Sequence, residues 1–140
     1  MPLNFANRTV IVTGAAQGIG YACAMAFLEE GASVILADIQ EDLLAQAMES
    51  VPREHTKRAL PVVCDVGNAA QVDALMEHTV RQFGGLDVLV ANAAIVHKSP
   101  FLELREDDFD RVMRVNVKGT FLCAQRAARA MVALKERGKP

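Results

Sequence analysis

Thr9-Val-Ile-Val-Thr-Gly-Ala-Ala-Gln-Gly-Ile-Gly20 is the stretch on which the reading of this chain turns. Its first five residues form a β-branched run stopped by Gly14, the pattern of a strand buried on both faces. From Gln17 to Glu30 the residues are strong helix formers, and Gly31 stands where a C-terminal cap belongs. A strand that passes through a glycine-rich turn straight into a helix leaves free N–H groups beyond the strand's carboxyl end, and these attract anions. In that arrangement Gly14 permits the sharp turn, Gly18 lets a pyrophosphate approach the backbone, and Gly20 allows close helix packing. A tight turn with no ligand is the competing reading of the glycine triplet taken alone.

The same alternation continues downstream. Ser33-Val-Ile-Leu-Ala-Asp38 is a second apolar run, ending in an acid, and 41–50 follows as a helix. Residues 59–64 form a third strand, in which Pro61 lacks an N–H and so argues for a sheet edge. A third helix covers 68–83, opening on Asn68 as N-cap and closing at Gly84-Gly85. Residues 86–91 make a fourth strand, and 107 to about 136 reads as one long helix. Strands alternating with helices of this length imply right-handed crossovers and a parallel sheet. The expected fold is α/β, a doubly wound (Rossmann-like) parallel sheet of strand order 3-2-1-4. A ligand in such a sheet lies beyond the strand carboxyl ends where the order reverses, here between strands one and four.

Bulk properties narrow the function classes. A chain of 140 residues buries one ordinary core, so residues 1–140 are expected to form one domain. A formal net charge of -2 and scattered Lys and Arg give no basic footprint for nucleic acid. The three cysteines, Cys23, Cys64 and Cys123, form no Cys-x-x-Cys pair and read as reduced core residues. His55, His78 and His97 are too widely spaced for a metal site and are expected at loop, helix-surface and loop positions. Met25, Met76 and Met113 fall at helical core spacing. The first eight residues carry no signal-peptide pattern and no apolar run reaches the length of a membrane span, which makes a soluble, cytoplasmic protein the expectation.

Asp38 ends the strand after the glycine turn, close to the roughly 20 residues downstream at which an acid accepts hydrogen bonds from an adenosine ribose. A solvated strand-end carboxylate is the alternative. In the first reading the acid would repel a 2′-phosphate, and Gln17, Ile39 and Gln40 supply no cation to hold one, so NAD is expected rather than NADP.

The spacing Thr-Gly-x-x-x-Gly-x-Gly at Thr13–Gly20 resembles the cofactor loop of the short-chain dehydrogenase/reductase family. Asp65-Val66, Asn92-Ala93-Ala94 and Asn116 then match further motifs of that family in its own order, across essentially the whole chain. Ala94 stands where the family usually has Gly. The resemblance implies that Asp65 hydrogen-bonds the adenine amino group, that the Val66 backbone meets the adenine ring, and that Asn92 braces the central strand and the ribose side of the cofactor. The expected cofactor contacts are Thr13, Gly14, Gln17, Gly18, Ile19, Gly20, Asp38, Ile39, Asp65, Val66, Asn92, Ala93 and Ala94. Local alternatives are an Asx-type turn at Asp65 and a strand-end cap at Asn92.

Asn116 shares a helix side with Phe109, Val112, Met113, Thr120 and Cys123, which reads as an amide among mostly buried positions. Either it satisfies a nearby backbone group or it holds a water for proton traffic. The resemblance implies the second, with Asn116 in a catalytic set completed by a Ser, a Tyr and a Lys. The single tyrosine, Tyr21, has Met25 four residues on and is expected to pack against the sheet, and Ser33, Ser50 and Ser99 do not fit the family's position. The acidic run Glu106-Asp-Asp108 complements the dipole of the long helix.

The expected function is the NAD-binding part of an oxidoreductase that moves a hydride between NAD(H) and a secondary alcohol or carbonyl, truncated before strand five and not catalytically competent alone. A non-catalytic NAD-binding module and a protein-interaction remnant are the other readings. Without a fifth strand, strand four becomes an exposed apolar edge and the long helix lacks a partner, so association, as a homo-oligomer or otherwise, is expected through both.

Overall fold

The computed structural model describes residues 4–138. Four parallel strands, β1 (Thr9–Thr13), β2 (Ser33–Asp38), β3 (Ala59–Val63) and β4 (Val88–Val90), form one sheet in the order β3-β2-β1-β4. Between them run helices α1 (Gly18–Glu29), α2 (Glu41–Glu49) and α3 (Ala69–Phe83). After β4 come α4 (Glu106–Met113), a π turn over Arg114–Gly119, and α5 (Thr120–Glu136).

β1 and β2 are near-continuous apolar runs because both of their faces are covered. Val10, Val12, Val34 and Leu36 point to the side packed by Ala24 and Leu28 of α1 and Leu44 of α2. Ile11, Ile35 and Ala37 point to the other, against Val72 and Leu75 of α3 and Leu122 and Cys123 of α5. The two-residue strand period thus divides one short sequence between two cores. β3 exposes Pro61 and Val63, in keeping with its expected edge position. Tyr21 is partly buried against the first core, as the sequence suggested.

The fourth strand is shorter than the expected 86–91. Only Val88–Val90 pairs, with Val10↔Val88 and Val12↔Val90 in register, because Ala91 turns away and β4 has a neighbour on one side alone. The expected single helix over 107–136 is interrupted by the π turn at Arg114–Gly119. Nor is the Asn116 face mostly buried: Phe109, Met113 and Thr120 are exposed, Asn116 and Val112 half-buried, and Cys123 alone is buried. Helical spacing finds a shared face, but burial depends on which other elements cover it, and among the described residues these reach Asn116 and Cys123 while leaving Phe109, Met113 and Thr120 exposed. Met113 therefore leaves the core that its spacing suggested, and Cys23 is half-buried rather than interior. No helix of the described residues is long and apolar enough to cross a membrane.

Candidate functional site

A cleft of about 270 Å³ opens at the carboxyl ends of the strands, where the order reverses between β1 and β4. It is lined by Gly14, Gln17, Asp38, Ile39, Gln40, Cys64, Asp65, Val66, Asn92, Ala93, Ala94, Ile95 and Val115. Two carboxylates and no Lys or Arg belong to this wall.

On the β1 side, Gly14 and Gly18 both adopt positive φ, +64° and +57°, which the turn between β1 and α1 needs and which other residues rarely take. A Cβ on Gly14 would strike the Cα of Ala93 at 2.9 Å, whereas one on Gly18 would meet nothing within 4 Å. The open face over Gly18 lies at the start of α1, whose Gln17 cap makes no side-chain hydrogen bond and whose first turn holds no acid. The leading N–H groups of α1 thus lack the side-chain acceptors that usually satisfy them. A Cβ on Gly20 would collide with the Gly14 carbonyl oxygen and come within 2.6 Å of Asn92 Nδ2. Asp38, 7% exposed, accepts at Oδ2 from Ala16 N (3.0 Å) and at Oδ1 from Gln40 N (3.0 Å). These bonds aim the carboxylate across the β1–α1 turn while each oxygen keeps a further lone pair.

On the β3 side, Asp65 Oδ1 accepts from Gly67 N (2.9 Å), Oδ2 accepts from Arg114 Nη1 (2.9 Å), and the Asp65 N–H donates to Gln71 Oε1 (2.8 Å). Beneath it lies Cys64, whose thiol is pushed up to about 12, first by burial and then by Cys123 and Asp65 nearby. Burial also raises Cys123 to about 11. At neutral pH both are thiols, which excludes a thiolate nucleophile at the floor of the cleft.

The β4 side is held by a buried hydroxyl. Thr13 Oγ1 accepts from Asn92 N (3.0 Å) and Ala93 N (3.1 Å), and Asn92 Nδ2 donates to Thr13 O (3.1 Å) and Gly14 O (3.3 Å). Asn116 closes the other edge: its Oδ1 accepts from Ile95 N and its Nδ2 donates to Ile95 O, both at 2.9 Å. Its side chain satisfies backbone 21 residues away, and its own carbonyl accepts from Thr120 Oγ1 at 2.8 Å.

Nine of the sequence-derived cofactor positions line the cleft: Gly14, Gln17, Asp38, Ile39, Asp65, Val66, Asn92, Ala93 and Ala94. Thr13 lies behind it at 1% exposure, Gly20 is buried under the turn, and Gly18 and Ile19 stand exposed at its mouth. His78 lies on α3 and His97 in the loop after β4, as the sequence suggested, whereas His55 sits half-buried in a short 3-10 turn over Arg53–Arg58, beside the Arg58 guanidinium, rather than in an open loop. Sequence reasoning overlooked Cys64, Val115, Gln71 and Arg114. Cys64 carries a signal, its place directly before Asp65, but the others meet the site through contacts that no local pattern announces.

The site fits a dinucleotide on three observations: the open face above Gly18, the uncapped helix start beside it, and the aimed carboxylate of Asp38. Comparison with known proteins agrees with that geometry. The sequence model described as short chain dehydrogenase matches residues 8–139. Over 137 residues the chain is 43% identical to (+)-cis,trans-nepetalactol synthase of Nepeta racemosa, covering 94% of this chain and 50% of that protein. It is 38% identical over 133 residues to galactitol 2-dehydrogenase of Agrobacterium fabrum, covering 95% of this chain and 50% of that one. A short-chain type dehydrogenase/reductase from Mycobacterium marinum superposes with a TM-score of 0.88 at 36% identity, over 93% of this chain and 52% of the other. A Brucella melitensis glucose/ribitol dehydrogenase of the same type gives 0.87 at 32% identity, over 94% and 53%. The chain therefore spans about half the length of the curated relatives it matches. With its sheet order, its glycine turn and its matched residues in agreement, the chain belongs to the short-chain dehydrogenase/reductase family of oxidoreductases.

Proposed function

We propose that residues 1–140 act as the NAD-binding domain of an oxidoreductase that moves a hydride between NAD(H) and a secondary alcohol or carbonyl. The observation that carries the choice of NAD is Asp38, held by Ala16 N and Gln40 N in a wall without Lys or Arg. A 2′-phosphate set against that carboxylate would lose water without gaining a cation. The ribose hydroxyls of NAD instead meet the free lone pairs of Asp38, and the pyrophosphate lies over Gly18 and Ile19 at the start of α1. Adenine is held between Ile39 and the Asp65-Val66 turn. When bound, the nicotinamide supplies the hydride acceptor or donor, and the chain's own part is to bind, orient and shield it.

Asn116 serves this site as a positioning residue, because both polar atoms of its side chain hold the Ile95 backbone at the cleft edge. Association follows from the exposed apolar positions of the same helices: Phe109, Met113, Val117 and Phe121 recur every four residues, each more than 40% exposed, and β4 ends the sheet order among the described residues. That stripe and edge suit a second copy of the chain. The relatives include a synthase and a polyol dehydrogenase by name, so the substrate is assigned only as an alcohol or carbonyl.

Titration of the purified chain with NADH and NADPH, followed by calorimetry, tests the reading. NADH should bind at least tenfold tighter, about 1.4 kcal/mol, and Asp38→Asn should narrow that ratio. Equal or preferential binding of NADPH would sink the assignment of NAD.

A further inference from the structure

We propose that Arg114 is a positioning residue that sets the base selectivity of the cleft, by holding the Asp65 carboxylate so that it accepts a hydrogen bond from a 6-aminopurine and rejects a 6-oxopurine. This rests on the reading of the cleft as a dinucleotide site with its base at Asp65.

Asp65 is fixed from three sides: Gln71 holds its backbone N–H, Gly67 N donates to Oδ1, and Arg114 Nη1 donates to Oδ2 at 2.9 Å. Its side chain is 19% exposed, and that exposed part faces the cleft. A carboxylate presents acceptors only, so it pairs with an exocyclic amino group and repels a carbonyl oxygen in the same place. Of the two side-chain bonds, the one from Gly67 leaves the group free to turn about its own axis, and the one from Arg114 stops that turning.

The guanidinium is itself placed by two features of the fold. It packs over Gly67, where a Cβ would collide with Nη1 and approach Cζ to 2.9 Å, so the absence of a side chain there makes its bed. Arg114 also opens the π turn, in which Val115 lines the cleft and Asn116 ties Ile95. Three consecutive residues of one wide turn therefore reach both walls of the cleft, Asp65 on one and Ile95 on the other. Exposed ion pairs add little to stability, and this one is 42% exposed at Arg114, so orientation rather than stability is its consequence.

The test compares NADH with nicotinamide hypoxanthine dinucleotide (reduced), in which a carbonyl replaces the amino group and N1 of the purine gains a proton. The chain should favour NADH by about tenfold, the scale of one hydrogen bond to a charged group. Arg114→Met should shrink that preference to within about twofold while binding of the hypoxanthine form stays constant, and Arg114→Lys should restore part of it. Gly67→Ala keeps the charge but displaces the guanidinium, and should shrink the preference as Arg114→Met does. An unchanged ratio in both Arg114→Met and Gly67→Ala, or an equal loss of both dinucleotides, would overturn the proposal and leave the cofactor reading standing. A wild-type chain that binds neither dinucleotide would overturn the cofactor reading, and this proposal with it.

Discussion

Asp38 and Asn116 are both polar side chains whose partners are backbone groups, yet substitution should affect them differently. Asp38 holds two N–H groups in a nearly buried setting, so Asp38→Ala should cost about 1–3 kcal/mol in urea unfolding as well as cofactor affinity. Asp38→Asn keeps the shape and one acceptor oxygen, which separates binding from stability. Asn116 ties a loop rather than a core. Asn116→Ala should cost only about 1–2 kcal/mol globally, while hydrogen exchange at the Ile95 amide speeds up at least tenfold, because its acceptor is gone. An Ile95 amide as protected in the variant as in the parent would refute the tether. Motifs that follow a strand end, Asp38, Asp65-Val66 and Asn92, were legible because the strand itself points them at the cleft. Thr13 was legible as part of a motif but not as the hydroxyl that receives Asn92 and Ala93, since those partners lie 79 and 80 residues away.

Strand β4 has three paired residues and one neighbour, so its ends matter more than its middle. At the amino end the Asp87 carboxylate accepts from Thr9 N and from Arg8 Nη1, both at 2.8 Å, and Asp87 N donates to Thr9 O. Arg8 is half exposed and its ion pair contributes little, whereas the bond to Thr9 N begins the register of the central strand. Asp87→Ala should lower stability by about 1–2 kcal/mol, and Arg8→Ala by less than about 0.5 kcal/mol. Comparable losses in urea melts of the two variants would contradict that division. The two inner strands could be read directly, because burial on both faces demands unbroken apolar runs. The length of β4 could not, since Leu86 to Ala91 looks equally strand-like whether or not a neighbour is present. The π turn likewise left no mark in the sequence. Arg114–Gly119 mixes Arg and Lys with the weaker helix formers Val, Asn and Gly, which does not tell a π turn from a frayed α turn, and the contacts that accompany its wider path come from residues far along the chain, Asp65 through Arg114 and Ile95 through Asn116.

For the whole molecule, the two buried thiols set an alkaline limit. Their folded values, about 12 for Cys64 and about 11 for Cys123, lie above the ordinary 9.0, so the unfolded chain gives up these protons first. Their contribution is present in full below pH 9 and is lost as pH rises from there towards 11 to 12, at up to about 1.4 kcal/mol per pH unit for each thiol. Urea unfolding at pH 8 and pH 10.5 should show a steeper loss in the parent than in a Cys64→Ala, Cys123→Ala variant, and parallel losses would contradict the assignment. The apolar stripe of α4 to α5 supplies a second property at this scale. Phe121→Glu should shift the chain towards monomer in concentration-dependent sedimentation without changing NADH affinity, because Phe121 is not among the residues that line the cleft; no shift would remove that face as the contact.

The sequence by itself determined the sheet order, the place of the cleft and most of its wall, because those follow from strand period, helix spacing and short motifs that act within a few residues. Only the tertiary structure decided that Thr13 is a buried clasp, that Asn116 holds a backbone at the cleft edge, and that Arg114 lies across Gly67 against Asp65. Each of those depends on groups from distant parts of the chain meeting in space. The energy of such a meeting is set by distance and burial, which no local pattern of residues encodes.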